Sequence, residues 1–428
     1  MNRENPELFG VSPDDQNVGI SLADSGDHAR GQGSRLSLDG RLMRALLHSL
    51  GNPSIRVTLW NGESILTTTS NPVADMRVKS RSCLFKLLIN PELYFGDAYS
   101  DGLIEVDGDL VKLIEAVYQG LGRARTTGLR PRLTKWLNRR HSNALADSRE
   151  NIHRHYDLGN EFYKLWLDRQ MVYTCAYFPS PDITLEQAQI AKMDHVCRKI
   201  RLRSEESVVE AGCGWGALAL HMATQYGARV KAFNISHEQI AYAKARAHAL
   251  GVEHRVEFIE DDYRNASGRY DAFMSVGMLE HVGRDYYHEL RRVIDRCLDR
   301  NGRGLIHSIG RNKPNPFNAW VEKRIFPGAY PPSLREMLEV VERWDFSVLD
   351  VENLRQHYAL TLKHWLQRFE DASSVVKEMY DERFVRAWRL YLAGSIAAFN
   401  NGDMQLFQVL FARGANNDIP WTRAYLYS

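Results

Sequence analysis

The chain has 428 residues, 44% hydrophobic and 10% aromatic, with a formal net charge of +2; this is a globular composition with ample core, long enough for two domains. Its five cysteines, Cys83, Cys175, Cys197, Cys213 and Cys297, show no C-x-x-C or framework spacing, which argues against disulfides and structural zinc. No apolar run is long enough to span a bilayer and the polar N-terminus has no leader-like apolar stretch, so a cytoplasmic protein is expected, touching membrane only peripherally and from the inner face.

Residues 1–37 are rich in Gly, Asp, Ser and Asn, and are expected to be disordered. Residues 38–120 read as a small α+β domain. A short helix is predicted over Arg41 to Leu50. Ile55 to Trp60 and Ser64 to Thr69 alternate around Asn61-Gly62, a hairpin signal. Ser82 to Ile89 is apolar and compact, Asn90-Pro91-Glu92 opens a turn or short helix, and Leu110 to Tyr118 is an amphipathic helix. Residues 121–150 read as a linker of biased charge. Arg123, Arg125, Arg130, Arg132, Lys135, Arg139 and Arg140 precede its first acid, Asp147, with Trp136 and Leu137 interleaved. Two readings stand: a solvated connector, or a contact with an anionic membrane surface, where each basic residue contributes about 1 kcal/mol. No recognition motif or stacking array points to nucleic acid.

Residues 151–428 carry alternating strands and helices, the signature of a parallel, doubly wound sheet. Strands are predicted at Ser207 to Ala211, Val230 to Ile235, Arg255 to Ile259 and Tyr270 to Val276. Helices are predicted at Leu185 to Ile200, His237 to Leu250 and Glu289 to Leu298, and a further apolar run covers Leu305 to Ile309. Beyond Gly310, helices over Leu334 to Glu342, Tyr358 to Phe369 and Phe384 to Phe399 supply enough apolar mass to roof a cleft over the sheet. Gln405 to Arg413 has strand character.

The most informative stretch is Val208-Val209-Glu210-Ala211-Gly212-Cys213-Gly214-Trp215-Gly216, followed by helix formers from Ala217 to Tyr226. It reads as strand, tight turn and helix, with glycines that admit positive φ and close approach of a ligand. Glu210 falls at the strand's C-terminal end, where open α/β sheets place ligands. A carboxylate there holds an amine or hydroxyl and repels a pyrophosphate. The G-x-G-x-G spacing behind an acid resembles the first motif of class I S-adenosylmethionine (SAM)-dependent methyltransferases; a structural turn or another nucleotide site would give the same glycines.

Several longer motifs occur in one order: His155-Tyr156-Asp157-Leu158-Gly159-Asn160, Tyr173-Thr174-Cys175-Ala176-Tyr177-Phe178, the glycine loop, Ser275-Val276-Gly277-Met278-Leu279-Glu280-His281-Val282-Gly283, His307-Ser308-Ile309-Gly310 and Ile325-Phe326-Pro327-Gly328. Together they resemble the cyclopropane-fatty-acyl-phospholipid synthases and the related mycolic acid cyclopropane synthases, from about His153 to Gly414. The hairpin-bearing first domain is similar, more loosely, to the family's lipid-binding domain. The resemblance implies a Rossmann-like class I methyltransferase fold with helical lid insertions, and a homodimer. It implies that SAM methylates the cis double bond of an unsaturated phospholipid acyl chain, giving a carbocation. Loss of a proton from the new methyl to a bound bicarbonate then closes the ring. The bicarbonate cage it implies is Glu280, His307 and Tyr358 with the backbones of Cys175 and Ile309. For SAM it implies Tyr173 and Thr174 near the methionine end and Glu210, Gly212, Gly214 and Gly216 beneath it. Asn234 and Gln239 would lie on the ribose side and Asp262 near adenine. No metal is implied. Read without the family, His307 also suits a satisfied core histidine, Tyr358 a core aromatic, Cys175 a small buried hydrophobe and Glu280 a solvated edge acid. Methyl-branched products, a small-amine methylase and a lipid-binding scaffold on an inactive fold remain as alternative functions.

Overall fold

The structure, a computed structural model, describes residues 36–67, 71–126, 158–342 and 345–427. Four strands build the first sheet: β1 (Arg56–Leu59), β2 (Ser64–Leu66), β3 (Ala74–Val78) and β4 (Ile104–Gly108), in the order β2-β1-β3-β4. The Asn61-Gly62 signal turns an antiparallel hairpin, pairing Thr58 with Ser64, and Gly62 takes the positive φ of +83° that the turn demands. β3 was not predicted, although Ala74, Met76 and Val78 alternate inward as a half-buried strand should.

The second sheet has seven strands: β5 (Ser207–Ala211), β6 (Arg229–Asn234), β7 (Val256–Glu260), β8 (Tyr270–Val276), β9 (Leu298–Gly310), β10 (Phe346–Asn353) and β11 (Gln405–Arg413). Their order is β10-β11-β9-β8-β5-β6-β7. The five strands from β9 to β7 run parallel, as predicted. β11 and β10 close the other edge antiparallel, an addition that the sequence reading saw only as strand character at 405–413. Both faces of the sheet are covered. Val208, Val230 and Met274 pack on one side, and Val209, Phe233 and Phe273 on the other. The chain winds outward from β5 through β6 to β7 and then returns to β8 on the opposite side of β5. That reversal opens a crevice at the C-terminal end of β5, where the glycine loop lies.

The segment between β9 and β11 forms the roof. Helices Arg355–Asp371 and Glu382–Asn400 pack on each other, and helices Pro91–Ser100 and Leu110–Thr126 of the first sheet's layer pack against Glu382–Asn400. Polar clamps fix this junction. Arg386 donates to the carbonyls of Tyr99 (2.6 Å) and Ile104 (2.7 Å), and its guanidinium lies 4.3 Å from the Tyr99 ring centroid. Arg324 grips Asp97 through Nε (3.0 Å) and Nη2 (2.8 Å), and Asn400 donates to Glu115 (2.7 Å). The described residues from 37 onward accordingly form one compact unit.

Helix Leu110–Thr126 runs past the predicted linker start at residue 121. Gly120 lets this helix lie close against Leu50, because a Cβ there would lie 2.4 Å from the Leu50 carbonyl oxygen. The remaining basic stretch and His155-Tyr156-Asp157 lie outside the described residues.

Gly96 tests the junction. A Cβ at this helical position would lie 2.4 Å from the buried ring of Trp320. Helix propensity alone favours alanine by up to about 1 kcal/mol. The ring is 4% exposed and would have to shift, so Gly96→Ala is expected to destabilise by about 1–3 kcal/mol. Chemical denaturation of the full chain measures it; a stabilised variant would show that Trp320 does not seat on this helix.

Candidate active site

Roof, sheet edge and the helices around Gly96 and Tyr118 enclose a cleft with about 1220 Å³ of empty space, its open mouth included. Its walls are mainly apolar and aromatic: Phe95, Ile114, Phe317, Trp320, Phe326, Leu362, Tyr391 and Phe399. All five residues predicted for the anion cage, Cys175, Glu280, His307, Ile309 and Tyr358, line this one cleft, together with Tyr173 and Thr174. Glu280 and His307 come from neighbouring strand ends, since β8 pairs Val276 with His307 on β9.

Glu280 lies in the short helix Leu279–Val282 that follows β8. Its Oε2 accepts from the Ser308 hydroxyl at 2.7 Å, and the Ile309 N–H reaches Oε1 at 3.5 Å. Burial pushes the carboxyl up to about 7, against the smaller effect of these donors. His307 is 1% exposed, and burial drives its proton affinity well below the ordinary range, so the ring is neutral. Gln408 Nε2 lies 3.1 Å from Nδ1. Donating there, it leaves the ring proton on Nε2, and that nitrogen is buried with no hydrogen-bond partner. The cleft thus holds a buried acceptor and an unsatisfied buried donor. Cys175 differs: burial pushes its thiol far up, and the hydrogen donates to the Ala176 carbonyl at 3.1 Å, so it is no nucleophile. Tyr358 is packed 4.7 Å from the Phe399 ring.

The glycine loop meets the cleft through Gly277 and Met278. Gly212, Gly214 and Gly216 take φ of +82°, +53° and +81°. A Cβ at Gly216 would strike Phe258 at 2.6 Å, whereas nothing lies within 4 Å of one at Gly214. Gly216 therefore serves packing of the helix on the sheet, and Gly214 leaves an open cradle. Glu210 below it is 2% exposed with Oε2 unpartnered, and burial pushes its carboxyl up to about 7. Asn234 donates to the Gly214 carbonyl (3.2 Å) and to Gln239 Oε1 (2.6 Å), leaving the buried Gln239 Nε2 unpartnered. Orphaned acceptor, orphaned amide and open cradle fit a ligand bearing an amine and hydroxyls. Asp262 is different: Arg264 holds both of its oxygens through Nε and Nη2, each at 2.9 Å. Its carboxylate is thereby held in place just past the end of β7.

Several positioning residues escaped the sequence reading. Lys192, on helix Leu185–Lys199, donates to Thr174 Oγ1 at 3.1 Å, and burial lowers its ammonium to about 8 while Asp168 and Glu210 pull it back up. Gln189 donates to the Thr174 carbonyl at 2.9 Å. Asp168 caps the N–H groups of Gln170 (2.9 Å) and Val172 (2.8 Å) around Met171, whose φ is +60°. Gly277 lets Thr174 approach, since its Cβ would lie 2.6 Å from Thr174 Cγ2. Rings continue the support: Trp215 of the loop lies 5.0 Å from Tyr163, which lies 5.6 Å from Tyr173, and the Tyr173 hydroxyl bonds that of Tyr391 at 2.9 Å.

Comparisons with known proteins bear on the family and the fold. A family model described as mycolic acid cyclopropane synthetase matches residues 143–409, and one described as a domain of unknown function matches 42–124. A probable fatty acid methyltransferase of Pseudomonas putida is 34% identical over 392 residues, 89% of this chain and 98% of that one. The cyclopropane-fatty-acyl-phospholipid synthase of Escherichia coli K12 is 35% identical over 349 residues, 81% of this chain and 90% of that one. Among solved structures, the mycolic acid cyclopropane synthase CmaA1 complexed with SAH and CTAB aligns with a TM-score of 0.59 at 26% identity, over 62% of this chain and 98% of that chain.

Glu210 gives a pH test on the ligand-free protein. Its carboxyl binds a proton more tightly when folded (about 7) than at its ordinary value of 4.5, so its stabilising contribution is full below pH 4.5 and lost as pH rises through 7. Relative to wild type, Glu210→Gln should gain stability by up to about 3 kcal/mol between pH 4.5 and 8. Cleft histidines cancel in that difference. Paired denaturation curves at the two pH values measure it, and a pH-independent difference would mean that Glu210 is not charged against its surroundings.

Proposed function

The chain belongs to the mycolic acid cyclopropane synthetase family, SAM-dependent methyltransferases of lipid acyl chains, and we propose that it cyclopropanates cis-unsaturated acyl chains of membrane phospholipids with bicarbonate as base. The observation that carries this reading is one apolar cleft holding a buried carboxylate and a buried imidazole with its Nε2 unsatisfied.

SAM supplies an electrophilic methyl group, and bicarbonate would supply the base that accepts the proton lost on ring closure. Gly214 and Gly212 would admit the cofactor, Glu210 its amine, Asn234 and Gln239 its ribose hydroxyls, and Tyr173 and Thr174 its methionine end. Asp262, held by Arg264, would shape the adenine side. The chain's own groups explain the order of events. The alkene's π electrons would take the methyl as its bond to the sulfonium sulfur breaks and a neutral thioether leaves, so that the positive charge passes to the acyl chain. Apolar walls would keep water from trapping that cation as an alcohol, and the aromatic residues Tyr358, Phe399 and Tyr391 in the wall would stabilise it. A proton then leaves the new methyl as the third ring bond forms.

His307 Nε2–H and the Tyr358 hydroxyl would donate to the anion's oxygens, with the Cys175 and Ile309 backbones beside them, and ionised Glu280 would accept from its hydroxyl. Glu280 must therefore be charged. Peripheral membrane contact through the basic stretch between Arg123 and Arg140 would bring the lipid; among the described residues no helix is long and apolar enough to cross a bilayer.

Three measurements test this. Mass spectrometry of host phospholipids with a labelled SAM methyl should find label in cyclopropane rings; a saturated methyl branch differs by two hydrogens and would replace the ring-closing step. Glu280→Gln and His307→Ala should retain SAM affinity but lose about 10²–10⁴-fold in kcat, while wild-type activity rises with pH through about 7 as Glu280 ionises. Weakened SAM binding in either variant would displace both residues from the cage. Neutralising Arg130, Arg132, Arg139 and Arg140 should weaken binding to anionic vesicles more than turnover on dispersed lipid; vesicle affinity indifferent to salt would refute the membrane contact.

A further inference from the structure

Arg311 is a charged side chain that the reaction above does not use. It continues the face of β9 that carries His307 and Ile309, because alternate residues of a strand share a side and all three line the cleft. Its N–H bonds the Pro332 carbonyl at 2.8 Å and it bridges to Ser333, which extends the strand one residue past Gly310. The residue is 5% exposed. Its guanidinium lies 5.8 Å from the Phe317 ring centroid, its Nη1 lies 3.5 Å from Asp403 Oδ2, and its Nε has no partner.

A buried cation is expected to be fully paired. Here the pairing is one long contact to a carboxylate that remains 21% exposed. The planar fork of arginine is suited to two parallel hydrogen bonds to a carboxylate or phosphate. Among the described residues lining the cleft, the remaining formal charges are the carboxylates Glu92, Glu280 and Asp403, so an entering anion has Arg311 as its cationic partner.

Position sharpens the argument. Arg311 lies four positions beyond His307, roughly 13 Å along an extended strand. An extended chain advances about 1.2 Å per bond, so this distance spans on the order of eleven bonds of hydrocarbon. We propose that Arg311 binds the anionic polar end of the lipid substrate, a carboxylate or a phosphodiester oxyanion, and so fixes how far along the chain the reacting double bond lies. The inference rests on the acyl-lipid reading above and adds to it a head-group site.

The test uses the full chain with SAM and four dispersed lipids: oleate, its methyl ester, dioleoylphosphatidylglycerol and dioleoylglycerol. Wild type should prefer the charged member of at least one pair by about ten- to a hundredfold in kcat/KM. Dependence in the first pair identifies a carboxylate, and dependence in the second a phosphodiester. Arg311→Gln should bring the ratio close to one with SAM affinity unchanged, and Arg311→Lys should restore part of it. Asp403→Asn separates this role from a structural ion pair. It should keep or raise the charged-lipid preference, since it removes a competing carboxylate. If instead Asp403→Asn and Arg311→Gln lower thermal stability equally and slow charged and neutral lipids alike, the pair is structural and the proposal falls. It falls too if wild type shows equal kcat/KM within both pairs while forming product. Absence of methylated product from all four lipids would sink the acyl-lipid reading, and the head-group site with it.

Discussion

The cost of holding polar groups away from water without full hydrogen bonding governs this structure. Glu210 Oε2, Gln239 Nε2, His307 Nε2 and Arg311 Nε are buried without partners. Each such group costs about 1–3 kcal/mol or more when left unmade. A folded protein retains them when the remaining structure over-determines their positions, and here it does. Glu280 is fixed by Ser308, His307 by Gln408, Thr174 by Lys192 and Gln189. The same low dielectric that makes these groups expensive makes each one strong toward an arriving ligand of complementary charge.

How the scaffold imposes that positioning follows from the sheet. β9 runs between β8 and β11, so a side chain on β9 is braced from both directions. His307 pairs in register with Gln408, and Gln408 with Glu352 on β10. Glu352 is in turn held by His195 Nε2 at 2.7 Å and Lys199 at 2.5 Å. The row of register-matched polar residues that starts at the cleft therefore ends in a buried charge cluster on the far edge. The imidazole's orientation is a property of three strands and a helix, which explains why a neutral histidine can be kept as a donor with one defined tautomer.

The parts of this arrangement that were legible in the sequence are those with local periodicity or special backbone demands. Alternating apolar runs located β5 to β8, and three glycines located the crevice, because positive φ and close packing leave a compositional mark. Glu280 and His307 were reached through motifs. What escaped were contacts between distant segments. Gln408 lies 101 residues from His307 and reads alone as an amide inside an apolar strand. Lys192 reads as a helix-surface lysine, and only the fold turns it inward. β10 escaped because Asp350 and Glu352 look like solvent-facing acids, whereas Lys199 and Arg423 neutralise them. Nor did the sequence show that Arg264, two residues on, holds the Asp262 carboxylate.

The first sheet's layer has a role that composition alone did not reveal. Phe95, Gly96, Ile114 and Tyr118 read as ordinary helix-face residues, yet they form a wall of the same cleft that holds Glu280 and His307. A catalytic sheet with its roof but without this wall would leave the reacting carbons facing solvent on that side. The clamps from Arg386, Arg324 and Asn400 therefore serve the site as well as stability, because they hold this wall between the cleft's interior and water. Gly96 shows how close the fit is. Because it has no side chain, its helix lies against the Trp320 ring, and both residues line the cleft where the two layers meet.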